Sequence, residues 1–352
     1  MLPTRTACSI SLAATLLLVA CTGAGPVNPT VAPAATVTPA ADPLLDRIIA
    51  TADGRPLQPT ELYERMAQTD VVYLAEKHDN PRHHALQLEA LRTLLEAGKR
   101  PALGFEFFAR EQTGYLQDFV QPQNSHGKPL SPAQAEQKLR RELGWGPQRD
   151  AEWAFYFPLL QVAKEHQLAV FGADLPDSLK RRISRLGQDK LSPVEQNLLS
   201  DSGFDDPAYR ALMEQTLIDA HCGWNDPELI DHLYQTWLAR NDAMAQSITA
   251  MAQAGTGQPV LVILGAGHTR HNMGVVERVQ HFWPQARQLN LGYQELAREP
   301  QPAAAYYDKV VVQNREFAPA FEYFWFTPRV SFEDPCEQFK SQLQKHSSSA
   351  PN

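Results

Sequence analysis

The chain has 352 residues, 43% of them hydrophobic and 20% charged, with a formal net charge of -8 at pH 7. That composition belongs to a globular protein with one large domain, or one domain carrying an insertion. The acidic balance, offset by no basic run, argues against a nucleic-acid partner, and after the first twenty residues no apolar segment is long enough to span a bilayer.

Taken in chain order, the first element is not part of the fold. Arg5 supplies a weak positive start, and Ile10 to Ala20 is an apolar run too short to cross a membrane. It reads as a secretory signal over residues 1–20. Its end, Leu18-Val19-Ala20-Cys21, resembles the bacterial lipobox, which implies cleavage before Cys21 and acylation of that residue. Thr22 follows, not Asp, which in Gram-negative lipoproteins implies a lipid anchor in the outer membrane facing the periplasm. Residues 21–43, rich in Pro, Ala and Thr, read as an extended tether. The folded domain is then expected over about 44–330, with a C-terminal tail over 331–352.

Val71-Val72-Tyr73-Leu74 reads as a core strand. Asn80-Pro81 reads as a helix start, capped by Asn80 or Asp79, with the helix running to about Ala97 and ending at Gly98. Glu76 and His78 therefore fall in a strand-to-helix loop, while His83 and His84 sit in the first helical turn, whose positive end favours neutral imidazole. Ala102 to Phe107 is a second strand and Glu111 to Phe119 a helix. Trp153 to His166 is another helix, followed by a strand at Leu168 to Phe171. Residues 177–254 show only helical patterns and read as an insertion packed over one sheet edge, its last helix carrying Leu229, Leu233, Trp237, Met244, Ile248 and Met251 at helical spacing. Asp242 falls beside that stripe. Val260 to Leu264 is the fourth strand. Residues 289–291, 309–313 and 321–326 are weaker ones. Such alternation predicts an α/β fold, a mainly parallel sheet with crossover helices.

In open α/β sheets, ligands sit beyond the carboxyl ends of the strands. Glu76 and His78 follow the first strand, Glu106 ends the second, Asp174 follows the third, and Gly265-Ala266-Gly267-His268-Thr269-Arg270 follows the fourth. Each alone is a common loop feature; their coincidence at one edge marks a site. The missing third glycine excludes a dinucleotide fingerprint. Arg181 and Arg182 read as a solvated face, and Trp153, Tyr156 and the aromatic cluster at 321–326 as core. Cys222 and Cys336 either pair or remain one buried and one surface thiol.

The stretch Ala75-Glu76-Lys77-His78-Asp79-Asn80-Pro81-Arg82-His83-His84 resembles the opening motif of ChaN-like haem-uptake lipoproteins in the Tiki superfamily. Gly104-Phe105-Glu106-Phe107, His221-Cys222-Gly223, Asn241-Asp242-Ala243-Met244-Ala245 and Gly265-Ala266-Gly267-His268 follow in the family's order. Ala75 replaces a glycine and Asp174 stands in place of asparagine, two departures from the pattern. The resemblance implies non-covalent haem binding that assists haem or iron acquisition. It also implies an outer-membrane haem receptor or periplasmic haem carrier as partner, and allows a homodimer. His83, His84, His221 and Arg270 are the candidate haem-binding residues. The wider superfamily implies an alternative, a metal-dependent hydrolase with Glu76, His78, Glu106 and His268 as its catalytic core. There Glu76, His78 and His268 would hold Zn, Mn, Co or Fe, with a spare glutamate as base. A third reading is a non-catalytic scaffold associated with a receptor.

Overall fold

The computed structural model describes residues 42–121, 130–204, 206–255, 257–307 and 309–337. The signal sequence, Cys21, nearly all of the tether and the end of the tail lie outside them. The strands are β1 (Ile48–Ala50), β2 (Pro56–Leu57), β3 (Val71–Glu76), β4 (Ala102–Ala109), β5 (Val170–Asp174), β6 (Val260–Gly265), β7 (Gln288–Glu295), β8 (Val311–Val312), β9 (Arg315–Glu316) and β10 (Tyr323–Thr327). The helices are α1 (Pro59–Met66), α2 (Pro81–Glu96), α3 (Thr113–Val120), α4 (Pro132–Glu142), α5 (Asp150–Glu165), α6 (Asp177–Leu186), α7 (Pro193–Gln196), α8 (Pro207–Ala220), α9 (Pro227–Gln253) and α10 (Val275–Phe282).

Eight strands form one sheet in the order β2-β1-β10-β7-β3-β6-β4-β5. Neighbours from β10 to β5 run parallel, and β1 and β2 add an antiparallel edge. The fold is therefore α/β with a mainly parallel sheet. Strand periodicity sends alternate residues to opposite faces. Val72 and Leu74 of β3 join Leu86, Leu91 and Leu94 of α2 and Leu159 and Leu160 of α5 in one core. Val71 and Tyr73 join Met244, Ala245 and Ile248 of α9 and Val275 and Val279 of α10 in the other. Each fully buried leucine of this kind contributes about 2 kcal/mol.

Asn80 caps α2, its side chain accepting from the Arg82 N–H at 2.9 Å, with Pro81 at the first helical position. Burial of β3 is complete through Glu76, so this residue closes the strand instead of sitting in the loop. Ala75 is ordinary strand backbone opposite Leu264 and Gly292, which is why alanine is tolerated there. The helical stretch also differs from expectation. The C-terminal half of α9 is a crossover helix lying on the sheet, and only its first half, with α6 and α8, forms separate clusters around Leu179 and Ile183 and around Tyr209, Met213 and Tyr234. The weak strand at 309–313 is a two-residue piece paired with β9, outside the main sheet.

Candidate functional site

The parallel register sets Glu76 of β3 directly beside Gly265 of β6, and β4 lies on the other side of β6. Glu76 and Glu106 are both almost fully buried. Carboxylates survive burial only with hydrogen-bond partners, and each has several. Tyr156 of α5 donates to Glu76 at 2.6 Å, and Gln87 of α2 donates to its other oxygen at 2.5 Å. His78 Nδ1 lies 3.2 Å and His84 Nδ1 3.3 Å from the same carboxylate.

Glu106 receives the Gly265 N–H at 2.5 Å, Arg240 at 2.6 Å and His268 Nε2 at 3.2 Å. Arg240, from the first half of α9, also bridges to Asp174, which Lys180 holds at 2.9 Å. His268 Nδ1 meets Asn241 at 2.7 Å, and its ring lies flat on Trp237 with centroids 4.1 Å apart. A Cβ at Gly265 would come within 2.6 Å of the His78 ring, which would have to shift.

These environments push the titrating groups apart. Burial disfavours the charged form of His78, but its bond to Glu76 and the charge of Glu106 outweigh that and raise its pKa above the usual value. Burial lowers that of His268, and Glu106 offsets it only in part. Burial likewise opposes ionisation of Glu106, yet His268 and Arg240 hold its carboxyl well below the usual range. His78, half-exposed, thus has its pKa shifted up, and buried His268 has its pKa shifted down.

A cleft of about 470 Å³ adjoins this cluster, lined by Leu212, Met213, Leu217 and Tyr209 of α8, Trp237 of α9, and Gly267, Arg270 and His271 of the turns after β6. Trp237 joins the two features, since its ring lies on His268 while also lining the cleft. Its Nε1–H donates to the Tyr209 hydroxyl at 3.0 Å. Burial pushes the Tyr209 phenol well up. Arg270 is exposed, its guanidinium over the Phe321 ring at 5.7 Å. His271 and Asn272 both take left-handed backbone, φ 63° and 55°, at roughly 1–2 kcal/mol each. The turn is tied down by the His271 N–H donating to the Ala320 carbonyl at 2.8 Å.

Of the residues expected at the site, Glu76, His78, His84, Glu106 and His268 come together, with Asp174 joined to Glu106 through Arg240. The rest separate. His83 is fully buried, its Nδ1 accepting from the Lys77 N–H at 2.9 Å and its Nε2 meeting the Thr327 hydroxyl at 2.8 Å. His84 Nε2 donates to the His78 carbonyl at 2.9 Å, and its ring stacks on Phe155. Neither ring has a nitrogen free for haem iron. Arg270 lines the cleft, and exposed His221 follows Ala220, which also lines it. Among the described residues, no three His, Cys, Asp or Glu side chains converge as a metal site. The expected set of Glu76, His78 and His268 is not such a group: His78 meets Glu76, whereas His268 meets Glu106, which also pairs with Arg240. Asp242, expected beside the apolar stripe, is buried against Arg278. Arg181 and Arg182 are exposed, Arg182 pairing with Glu195. Cys222 and Cys336 form a disulfide with Cα atoms 5.5 Å apart.

Sequence reasoning missed Tyr156, Gln87, Arg240, Trp237 and His271. Asn241 stood in a motif already singled out, next to Arg240, and Trp237 stood in the helical stripe. For Gln87 and Tyr156 no local pattern distinguishes a side chain aimed at a carboxylate from one filling a core.

A family model described as haem-binding uptake, Tiki superfamily, ChaN matches residues 62–279. Among solved structures, ChaN of Campylobacter jejuni, described for its cofacial heme binding, is 16% identical; the match covers 79% of this chain and 95% of that one, with a TM-score of 0.56. A mutant of the erythromycin esterase EreC in its open conformation is 12% identical over 79% of this chain and 95% of that one, with a TM-score of 0.44, too distant in shape to bear on function. No curated protein matches the sequence. With the family model covering more than half of its length, the chain belongs to the haem-binding uptake family of the Tiki superfamily, ChaN.

Proposed function

We propose that this protein binds haem non-covalently in the cleft between α8, α9 and the turns after β6, and so serves haem or iron acquisition. One observation carries the reading: in a chain of this family, a cleft of about 470 Å³ has aliphatic and aromatic walls and an exposed arginine beside it. The volume falls within the range of small-molecule pockets, and mostly apolar walls with a few polar groups are what such pockets have. Leu212, Met213, Leu217 and Trp237 would take the porphyrin face, and Arg270 would pair with a propionate. The iron, as cargo, would bring its own affinity for a nitrogen, oxygen or sulfur donor.

The buried charge cluster supports the cleft without touching its contents. Glu106 fixes Arg240 and His268. His268 supports Trp237, and the turn that carries His268 also carries Arg270 and His271. A lipid anchor on Cys21, an outer-membrane location facing the periplasm, a haem receptor or periplasmic carrier as partner, and a second copy of this chain as dimer partner complete the proposal. These rest on the lipobox-like sequence and the family.

The test is a hemin titration of the purified protein followed through the Soret region. Saturation near one haem per chain is the expected result. A signal that grows without saturating, as for hemin on an unspecific apolar surface, would reject the reading.

A further inference from the structure

We infer that His271 is the axial ligand of the bound iron, through its Nε2. This deepens the haem reading above and rests on it. Nδ1 of His271 lies 2.7 Å from the carbonyl oxygen of Ala318. A carbonyl only accepts, so Nδ1 carries the hydrogen and the neutral ring presents a lone pair on Nε2. This is the arrangement by which metal-binding histidines are oriented and made more basic, the distal N–H donated to a backbone carbonyl.

His271 is also held in place from its own backbone, by the N–H bond to Ala320. One hydrogen bond thus orients the ring and a second fixes the backbone that carries it, both to the segment 318–320, and the residue lines the cleft. Its left-handed φ of 63° is unfavourable for a β-carbon-bearing residue, and such conformations persist where a site requires them. Arg270, next in the chain, lines the same cleft. One turn thus carries both a donor for the iron and a cation for a propionate.

The other candidates fit less well. Both ring nitrogens of His268 are engaged, by Asn241 and Glu106. The Tyr209 hydroxyl accepts from Trp237 and would have to ionise in a buried position to bind ferric iron. Met213 offers a thioether, a soft donor poorly matched to ferric haem. His221 has its Nδ1 bonded to the Leu217 carbonyl at 2.7 Å, but it is exposed and does not line the cleft.

The test uses ferric hemin with the unaltered protein, His271→Ala, His271→Gln and His221→Ala, read by absorbance and electron paramagnetic resonance. Glutamine can keep a donor toward Ala318 while removing the imidazole, so it serves if the alanine variant does not fold, with circular dichroism as the check. The inference expects the histidine-ligated spectrum to vanish in both His271 variants, hemin to bind at least tenfold more weakly, and added imidazole to restore the spectrum in His271→Ala. His221→Ala should match the unaltered protein. Saturable binding by the unaltered protein with an unchanged spectrum in folded His271→Gln would overturn the ligand assignment and leave the haem reading standing. Loss of the spectrum in His221→Ala alone would also overturn it. If the unaltered protein takes up no hemin saturably, the haem reading and the ligand assignment fall together.

Discussion

Tyr156 shows how much a single side chain can carry in a buried charge cluster. Its hydroxyl is the shortest donor to the Glu76 oxygen it meets, and that carboxylate side chain has no solvent exposure. Replacing it by phenylalanine keeps the packing against Phe107 and Trp145 and deletes the donor. A buried acceptor that loses a partner costs roughly 1–3 kcal/mol, and Tyr156→Phe should lower the urea midpoint accordingly. An unchanged midpoint would mean that Gln87 and the two histidines satisfy Glu76 without it.

His83 contributes to the loss of stability in acid. Burial holds its pKa well below the ordinary value of 6.5, and the charges of His84 and Lys77 push in the same direction. The folded protein therefore refuses a proton that the unfolded chain accepts. Stability is fully present above about pH 6.5 and declines as pH falls below it. His268 and His271 have the same sign. Glu106 adds a second loss at lower pH, since its stabilisation is present above the ordinary carboxylate value of 4.5 and disappears as pH falls towards its depressed folded value. His83→Gln should flatten the fall in melting temperature between about pH 7 and 5. A slope equal to that of the unaltered protein would assign the effect to the other histidines.

At the scale of elements, β6 and the disulfide invite direct tests. The end of β6 approaches the His78 ring closely enough that a methyl group on residue 265 must displace it. Gly265→Ala should destabilise by about 1–3 kcal/mol through overpacking and, by moving His78 away from Glu76, bring its raised pKa back down. Histidine proton resonances titrated by NMR would show this, and a His78 titration unaffected by the substitution would count against the ion pair. The Cys222–Cys336 bridge closes a loop with a sequence separation of 114. In the chain-entropy model, a loop of that size contributes about 4–5 kcal/mol. Reduction, or Cys222→Ser, should lower the denaturation midpoint substantially. An equal midpoint for oxidised and reduced protein would show that the C-terminal segment is held by other contacts.

For the whole molecule, ligand and anchor are separable predictions. A ligand that binds only the folded state stabilises it by mass action, about 2.7 kcal/mol at a hundredfold excess over its dissociation constant. Hemin should therefore raise the melting temperature of the unaltered protein and do so much less for His271→Gln. If Cys21 is acylated, the protein should partition with the outer membrane and Cys21→Ser should release it to the soluble fraction. Recovery of both forms in the soluble fraction would reject the lipid anchor.

The sequence by itself determined the features that depend on near neighbours in the chain. Val71 to Leu74 had to be a buried strand because of its apolar, β-branched run. α2 had to start at Asn80-Pro81 because that pair caps and pre-sets a helix. Glu76, Glu106, Asp174 and His268 had to meet at one edge, because strand–helix alternation makes a parallel sheet and all four lie near or just past the carboxyl ends of its strands. Their partners were beyond local reading. Tyr156 is 80 residues from Glu76, and Arg240 is 134 from Glu106. Nothing in the periodicity of α5 or α9 says which polar side chain at the margin of an apolar stripe will find a carboxylate. The same limit hid the inward turn of His83, decided by a hydroxyl 244 positions away, and the left-handed turn at His271, fixed by carbonyls of a segment nearly fifty residues on. The tertiary structure alone decided that the buried charge cluster and the apolar cleft share one tryptophan, because only packing brings α8, α9 and the turns after β6 around Trp237.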